Sequence, residues 1–142
     1  MPEVVYYVLT APSQQDKWLT ACKLIEKAFK QGYLCNILTE SEHHSKLIDD
    51  LLWTFRQGSF IPHQILRSSE LPQVPQILIS AELNLLPKQH ILVNLSRSFS
   101  EEFMLFQRVL EILENDPDVK QAGRERYRSY QLLGANLVTH NL

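Results

Sequence analysis

The sequence has few of the residues from which common metal and catalytic sites are built. Only two of its 142 residues are cysteines, Cys22 and Cys35, and they do not have CxxC spacing. This is too few for a disulfide framework and the wrong form for a zinc ribbon, so we expect two reduced thiols in apolar surroundings. The five histidines show no HxxxH or HExxH spacing, and GxSxG is absent. The sequence therefore predicts no metal, no cofactor and no catalytic residue.

Glycine is also scarce, which bears on nucleotide binding. The four glycines form neither a GxGxxG turn nor a GxxxxGK[ST] loop. Residues 10–15 (TAPSQQ), where a first strand would pass into a helix, contain no glycine that would let a phosphate approach the backbone. We therefore expect no small-molecule substrate, and a nucleotide-binding α/β domain is only an alternative prediction.

Long apolar runs and excess positive charge are missing as well. No run approaches the roughly 18 residues of a membrane span, and the N-terminus lacks a basic region followed by a cleavage site. We therefore expect a cytoplasmic protein that does not contact the membrane. Fourteen Lys and Arg against sixteen Asp and Glu give a net charge of −2, whereas proteins that grip nucleic acid are normally basic. Direct binding of single-stranded nucleic acid is a second alternative.

The hydrophobic pattern predicts one α/β domain over residues 1–142. Strands and helices arrive in βαβ order, which favours a mainly parallel sheet of four or five strands with helices on both faces. The predicted strands cover residues 3–9, 33–38, 76–79 and 91–95, and the predicted helices cover residues 18–31, 41–53, 98–114 and 118–133.

Two of these helices carry specific predictions about the core. In the helix over 41–53, the side chains expected to point inward are Leu47, Ile48, Leu51 and Leu52. The segment Ser98-Phe99-Ser100-Glu101 resembles a capping box and predicts a helix start. The buried stripe expected along that helix is Phe103, Phe106, Val109, Leu110 and Leu113.

The last predicted helix is unusually basic for this protein. Residues 120–128 hold four cations against the single acid Glu125, a local charge of +3, namely Lys120, Arg124, Arg126 and Arg128. Lys120, Arg124 and Arg128 are spaced by four and form one stripe, flanked by Tyr127 and Tyr130. Gly123 would leave a gap beside the helix backbone. The pattern fits a solvated helix face with tyrosines closing the core, or a docking site for an acidic, partly apolar peptide.

Large apolar side chains also cluster between residues 52 and 63. The cluster lies at a helix end and in a proline-bearing loop, and it comprises Leu52, Trp53, Phe55, Phe60 and Ile61. Core packing and an exposed partner-binding patch explain such a cluster equally well.

Several segments together resemble a known family. LLWTF…GSFIPH, ILVNLS and RERYRSYQLLGANL, in this order and spacing, resemble the chi subunit of bacterial DNA polymerase III. The resemblance implies a Rossmann-like fold without a phosphate-binding loop. It also implies a non-catalytic accessory subunit of the clamp-loader complex, because polymerase activity resides in another subunit.

The same resemblance implies two protein partners and the residues that meet them. The first is the acidic C-terminal tail of single-stranded DNA-binding protein, which ends in an Ile-Pro-Phe type sequence. The residues that match the tail-binding positions are Lys120, Arg124 and Tyr127, with Arg128 as a neighbour. The second is the psi subunit of the clamp loader, for which Trp53, Phe60 and Pro62 are expected contacts. DNA would then be reached only indirectly.

Overall fold

The computed structural model describes residues 2–58 and 60–142, so Ser59 of the GSFIPH segment lies outside the described residues. The strands are β1 (Glu3–Val8), β2 (Cys35–Leu38), β3 (His63–Ile65), β4 (Ile77–Ser80), β5 (Ile91–Asn94), β6 (Arg108–Leu113) and β7 (Asn136–Asn141). The α-helices are α1 (Gln14–Lys30), α2 (Glu42–Thr54) and α3 (Pro117–Leu132). Two short 3₁₀ helices cover Leu83–Leu85 and Glu101–Leu105.

Across the described ranges, seven strands form one sheet in the order β3-β4-β2-β5-β6-β1-β7, and every pairing is parallel. Side chains alternate between the two faces of a strand, and both faces of this sheet are covered. Trp18 of α1 and Ile48 of α2 pack in a core on one face. Val119 and Tyr130 of α3 pack in the core on the other face. The predicted fold class is confirmed, although the predicted number of strands is too small.

Polar side chains and a glycine mark the ends of the helices, and of these signals the glycine after α1 was predicted. The Ser13 and Ser41 side chains accept hydrogen bonds from the first turns of α1 and α2. Asp116 does the same for α3, whose first residue is Pro117. These caps satisfy backbone N–H groups that have no partner inside the helix. Gly32 follows α1 with a φ of 90°, the left-handed conformation that favours glycine after a helix.

The predicted helix over residues 98–114 is wrong. A 3₁₀ helix over Glu101–Leu105 is followed by β6, which pairs with β1 on one side and β5 on the other. The residues of the expected stripe are buried, but those in β6 point to both faces: Val109 and Leu113 toward α3, Leu110 toward α1. A strand covered on both faces is apolar at nearly every position, and its sequence does not alternate as a half-exposed strand does.

Two other strands and one side chain also differ from prediction. β3 is only three residues long and lies in a proline-bearing connection, whereas β7 is polar and largely exposed. Neither offers the apolar pattern by which strands are recognised. Leu47 of α2, expected in the core, is exposed, while Ile48 and Leu52 are buried as predicted.

Candidate functional site

Helix α3 buries one of its four cations. Arg126 is 6% exposed, and its guanidinium contacts the Glu111 carboxylate of β6, with Nη2 3.0 Å from Oε1 and Nε 3.2 Å from Oε2. This charge is therefore neutralised beneath the helix. The local charge of +3 counted in the sequence is therefore larger than the charge at the surface of α3. The charged residues there are Lys120, Arg124 and Arg128, with the single acid Glu125.

Glu111 is the centre of a buried polar network. Besides Arg126, it accepts hydrogen bonds from the hydroxyl of Tyr130 (2.7 Å) and from the amide nitrogen of Asn94 (2.9 Å). Burial, together with the neighbouring Glu111 charge, raises the pKa of Tyr130. Burial alone would lower the pKa of Arg126, but the attraction of Glu111 and its hydrogen bonds raise it. Tyr130 thus closes the core, and the network fixes α3 on the sheet.

A cavity of about 240 Å³ lies between α3 and the carboxyl ends of the neighbouring strands. Its wall combines residues of the sheet, Tyr6, Val8, Leu113 and Thr139, with residues of α3, Lys120, Gly123, Arg124 and Tyr127. Two lining residues are cations, and none of the described residues that line it is acidic. We call this the basic cavity. It suits a ligand group that is apolar and sits beside a negative charge.

Three of the four residues predicted for tail binding meet in the basic cavity, namely Lys120, Arg124 and Tyr127. Arg128 is exposed one turn beyond Arg124 and does not line the cavity. A larger cavity of about 690 Å³ lies elsewhere, but its charged lining residue is Glu101. An acidic ligand would therefore be repelled there and attracted to the basic cavity.

Gly123 has a packing role that the sequence did not suggest, in addition to lining the basic cavity. A Cβ atom added there would lie 2.6 Å from Cδ1 of Leu113 on β6, closer than atoms tolerate. The Tyr6 hydroxyl also donates a hydrogen bond to the Gly123 carbonyl at 3.0 Å. The missing side chain thus lets α3 approach the sheet, because Leu113 occupies the space that a Cβ atom would need, while Gly123 also lines the basic cavity.

The apolar cluster between residues 52 and 63 divides into core and surface. Leu52 and Ile61 are buried, whereas Trp53 is 58% exposed, Phe60 is 82% exposed and Pro62 is exposed. All three residues predicted for psi binding are therefore exposed. We call them the aromatic patch. The core-packing interpretation is confirmed for Leu52 and Ile61, and binding of a partner by the exposed residues stays a prediction.

The aromatic patch rests on an ordered base. The Trp53 ring packs on the His63 ring with 4.7 Å between centroids. The His63 ring nitrogens in turn lie 2.7 Å from the Ile61 carbonyl oxygen and 3.1 Å from the Asp49 carbonyl oxygen. Trp53 is thus held in place by α2 and β3 although much of its surface is free, which is the state expected of a binding anchor.

Charged side chains surround Phe60. It lines a cavity of about 210 Å³ together with Phe29 and Ile61, and with the charged residues Glu26, Lys30 and Arg56. Arg56 Nη1 lies 2.9 Å from Glu26 Oε1. The patch lies at the end of α2 and in the loop after it, and α2 packs on the face of the sheet opposite to α3. The two candidate surfaces therefore belong to different layers of the fold.

The sequence did not reveal the half of the basic cavity that the sheet provides. Alternation along β1 places Tyr6 and Val8 on one face, but only the strand order brings them beside α3. Thr139 was missed because β7 was not predicted. No group of three or more His, Cys, Asp and Glu suited to a metal occurs among the described residues. In the same ranges no helix is long and apolar enough to cross a membrane.

Comparisons with known proteins point in one direction. Residues 1–138 match the family described as DNA polymerase III chi subunit, HolC. The DNA polymerase III subunit chi of Pseudomonas aeruginosa is 31% identical over all of this chain and 98% of its own length. The corresponding proteins of Haemophilus influenzae and Escherichia coli are 29% and 26% identical, over 96% and 83% of this chain and 95% and 80% of theirs.

A similarity to a solved structure concerns the fold alone. The crystal structure of T4 UvsW superposes on 99% of this chain with a TM-score of 0.71 and 11% sequence identity. This chain spans only 41% of the UvsW chain. At this identity the match supports the parallel α/β architecture and carries nothing about activity.

Proposed function

Because the chain belongs to the DNA polymerase III chi subunit family, we propose that it links two proteins of the replication machinery. In this proposal a non-catalytic subunit binds the psi subunit of the clamp loader through the aromatic patch. It binds the acidic C-terminal tail of single-stranded DNA-binding protein through the basic cavity. The observation that carries the proposal is the meeting of Lys120, Arg124 and Tyr127 at an apolar cavity without an acidic lining residue among those described.

The basic cavity fits the chemistry of such a tail. The terminal aromatic ring would pack among Tyr6, Leu113 and Tyr127, and its α-carboxylate would pair with Arg124. Aspartates further up the tail would meet Lys120 and Arg128. Each exposed ion pair contributes only about 0.2–1 kcal/mol, so binding should be modest in strength and weakened by salt.

The same geometry weighs against direct binding of nucleic acid by α3. Arg126 is unavailable to a phosphate backbone because Glu111 holds it under the helix. The other three cations, exposed Arg124 and Arg128 and half-buried Lys120, form one short stripe on a chain of net charge −2. Because affinity for nucleic acid rises with the number of phosphates neutralised, this stripe favours a short acidic peptide over a long strand.

Replacing Arg124 by alanine is expected to weaken binding of a short peptide ending in Asp-Ile-Pro-Phe by about fivefold, the upper end of what one exposed ion pair contributes. The change removes the proposed partner of the α-carboxylate, while the exposed position keeps the fold unaffected. Isothermal titration at two salt concentrations measures the effect, and the loss should be larger at low salt.

Lys23→Ala is the matched control for Arg124→Ala, because it removes one positive charge from α1, on the other face of the sheet. The control should bind the peptide like the wild-type chain, and Arg124→Ala should bind psi normally. Equal loss of peptide and psi binding in Arg124→Ala would contradict two separate surfaces.

Replacing Trp53 or Phe60 by alanine is expected to weaken psi binding by about thirtyfold, as for an aromatic anchor in an interface. Both rings are largely exposed, so little folding energy is lost with them. Surface plasmon resonance with immobilised psi measures the change. Leu132→Ala, which removes an equally exposed apolar side chain at the end of α3, should have no effect. Unchanged psi binding in Trp53→Ala and Phe60→Ala would exclude the aromatic patch as the psi surface.

A further inference from the structure

Strand β7 leaves one side of its backbone open. It pairs with β1 and forms an edge of the sheet. The Asn136 N–H donates to the Pro2 carbonyl and the Leu142 N–H donates to the Val8 carbonyl, so the even-numbered residues face β1. Because main-chain groups alternate in direction along a strand, the N–H and C=O of Leu137, Thr139 and Asn141 point away from the sheet.

This edge lacks the features by which proteins usually protect an edge strand. The six residues of β7, NLVTHN, include no proline, lysine, arginine or acid, and the strand is largely exposed. The opposite edge, β3, is only three residues long and directly follows Pro62. Short strands, charges and prolines normally prevent a further strand from pairing. β7 is therefore the edge that can accept one.

The open edge is continuous with the basic cavity. Thr139 lines the cavity, and its register partner is Tyr6, another lining residue. The side chains of Leu137, Thr139 and Asn141 lie on the α3 side of the sheet, since they share the face of Val4 and Tyr6. A strand added to β7 would likewise place alternate side chains on this side, near Lys120 and Arg124.

We propose that the free edge of β7 binds the acidic tail peptide as an additional β-strand, with the end of the peptide in the basic cavity. This inference rests on the proposed function and adds the binding mode, in which main-chain hydrogen bonds to Leu137, Thr139 and Asn141 supplement the ion pairs. The cations beside the edge favour an acidic peptide as the occupant. A second copy of this chain would bring the same cations to the same place.

The test uses the wild-type chain and short acidic peptides ending in Asp-Ile-Pro-Phe, with one residue upstream of that end N-methylated. Two peptides carry the methyl group at adjacent residues. In an added strand, only one of two adjacent N–H groups faces β7, so one peptide should bind about tenfold or more weakly than the unmodified peptide and the other within about twofold. Equal affinities of the two methylated peptides would overturn the added strand.

Amide hydrogen exchange by NMR tests the same point from the side of the protein. Saturation with the unmodified peptide should slow exchange at Leu137, Thr139 and Asn141, and leave Val138 and His140, which already face β1, unchanged. No slowing at the three outward residues while the peptide is bound would overturn the inference and leave tail binding intact. Failure of the unmodified peptide to bind at all would instead refute the proposed function.

Discussion

Replacing Glu111 by alanine is expected to lower the free energy of unfolding by about 3–5 kcal/mol, the range measured when one partner of a buried ion pair is removed. The Arg126 guanidinium would stay buried beneath α3 without its carboxylate, and guanidinium does not lose its proton near neutral pH. Tyr130 and Asn94 would also lose the acceptor of their hydrogen bonds. Each of these groups is costly to leave unpaired in the interior.

Urea unfolding followed by circular dichroism measures the loss in Glu111→Ala. Glu125→Ala is the matched control, because this acid lies on the exposed side of α3 and its carboxylate accepts only a weak hydrogen bond, from the Gln121 amide at 3.5 Å, among the described residues. The control should change stability by no more than about 0.5 kcal/mol. If the two variants were equally stable, the network around Glu111 would not hold α3 on the sheet.

The double variant Glu111→Leu/Arg126→Met distinguishes two contributions to stability. One is the cost of leaving the Arg126 charge buried without a partner, and the other is the net contribution of the ion pair. Removing both charges and keeping similar volume is often neutral for a buried pair, so the double variant should recover the part of the loss that comes from the unpaired Arg126. Tyr130 and Asn94 would still lack their acceptor, so the recovery should be incomplete. Because α3 forms one wall of the basic cavity, peptide affinity should fall in Glu111→Ala and return partly in the double variant.

The elements that the sequence predicted well are those whose pattern is local. Gly32 marks the end of α1, and β1, β2, β4 and β5 are short apolar runs between turn signals. The sequence of β6 predicts a helix because, in a strand buried on both faces, apolar residues also occur at helical spacing. Strand order depends on contacts between distant segments, so no local sequence pattern predicts that β1 pairs with both β6 and β7.

The basic cavity was predictable on one side only. Spacing by four predicts that Lys120 and Arg124 lie on one stripe of α3, and in the structure both line the basic cavity. The same periodicity places Arg126 with Val119, Gly123 and Tyr130, all of which are buried, so its inward direction was readable from the helix. The pairing of Arg126 with Glu111 could not be predicted in the same way, because an acid inside an apolar run does not indicate which cation it will contact.

Raising the pH above 9 is expected to destabilise the fold steeply. Burial raises the pKa of the Cys22 and Cys35 thiols from the ordinary 9.0 to about 12, and both side chains are fully buried. Below pH 9 the folded and unfolded chains both keep these protons, so stability there does not depend on the thiols. Between pH 9 and about 12 the unfolded chain releases them and the folded chain retains them, so stability falls as pH rises.

Each thiol should shift the unfolding equilibrium constant by about tenfold per pH unit in this window, which makes about a hundredfold for the pair. Urea unfolding under reducing conditions, repeated between pH 9 and about 12, gives the dependence of stability on pH.

The control is the variant Cys22→Ala/Cys35→Ala, which is less stable at neutral pH because it loses buried volume. Its unfolding should release two protons fewer than unfolding of the wild-type chain in this window, so its stability should fall less steeply as pH rises. Burial raises the pKa of Tyr6 and Tyr130 as well, so both proteins should share a further loss above pH 10.0. Since the tyrosines are common to both, the difference between the two slopes isolates the thiols, and parallel slopes would show that the thiols titrate alike in the folded and unfolded chains.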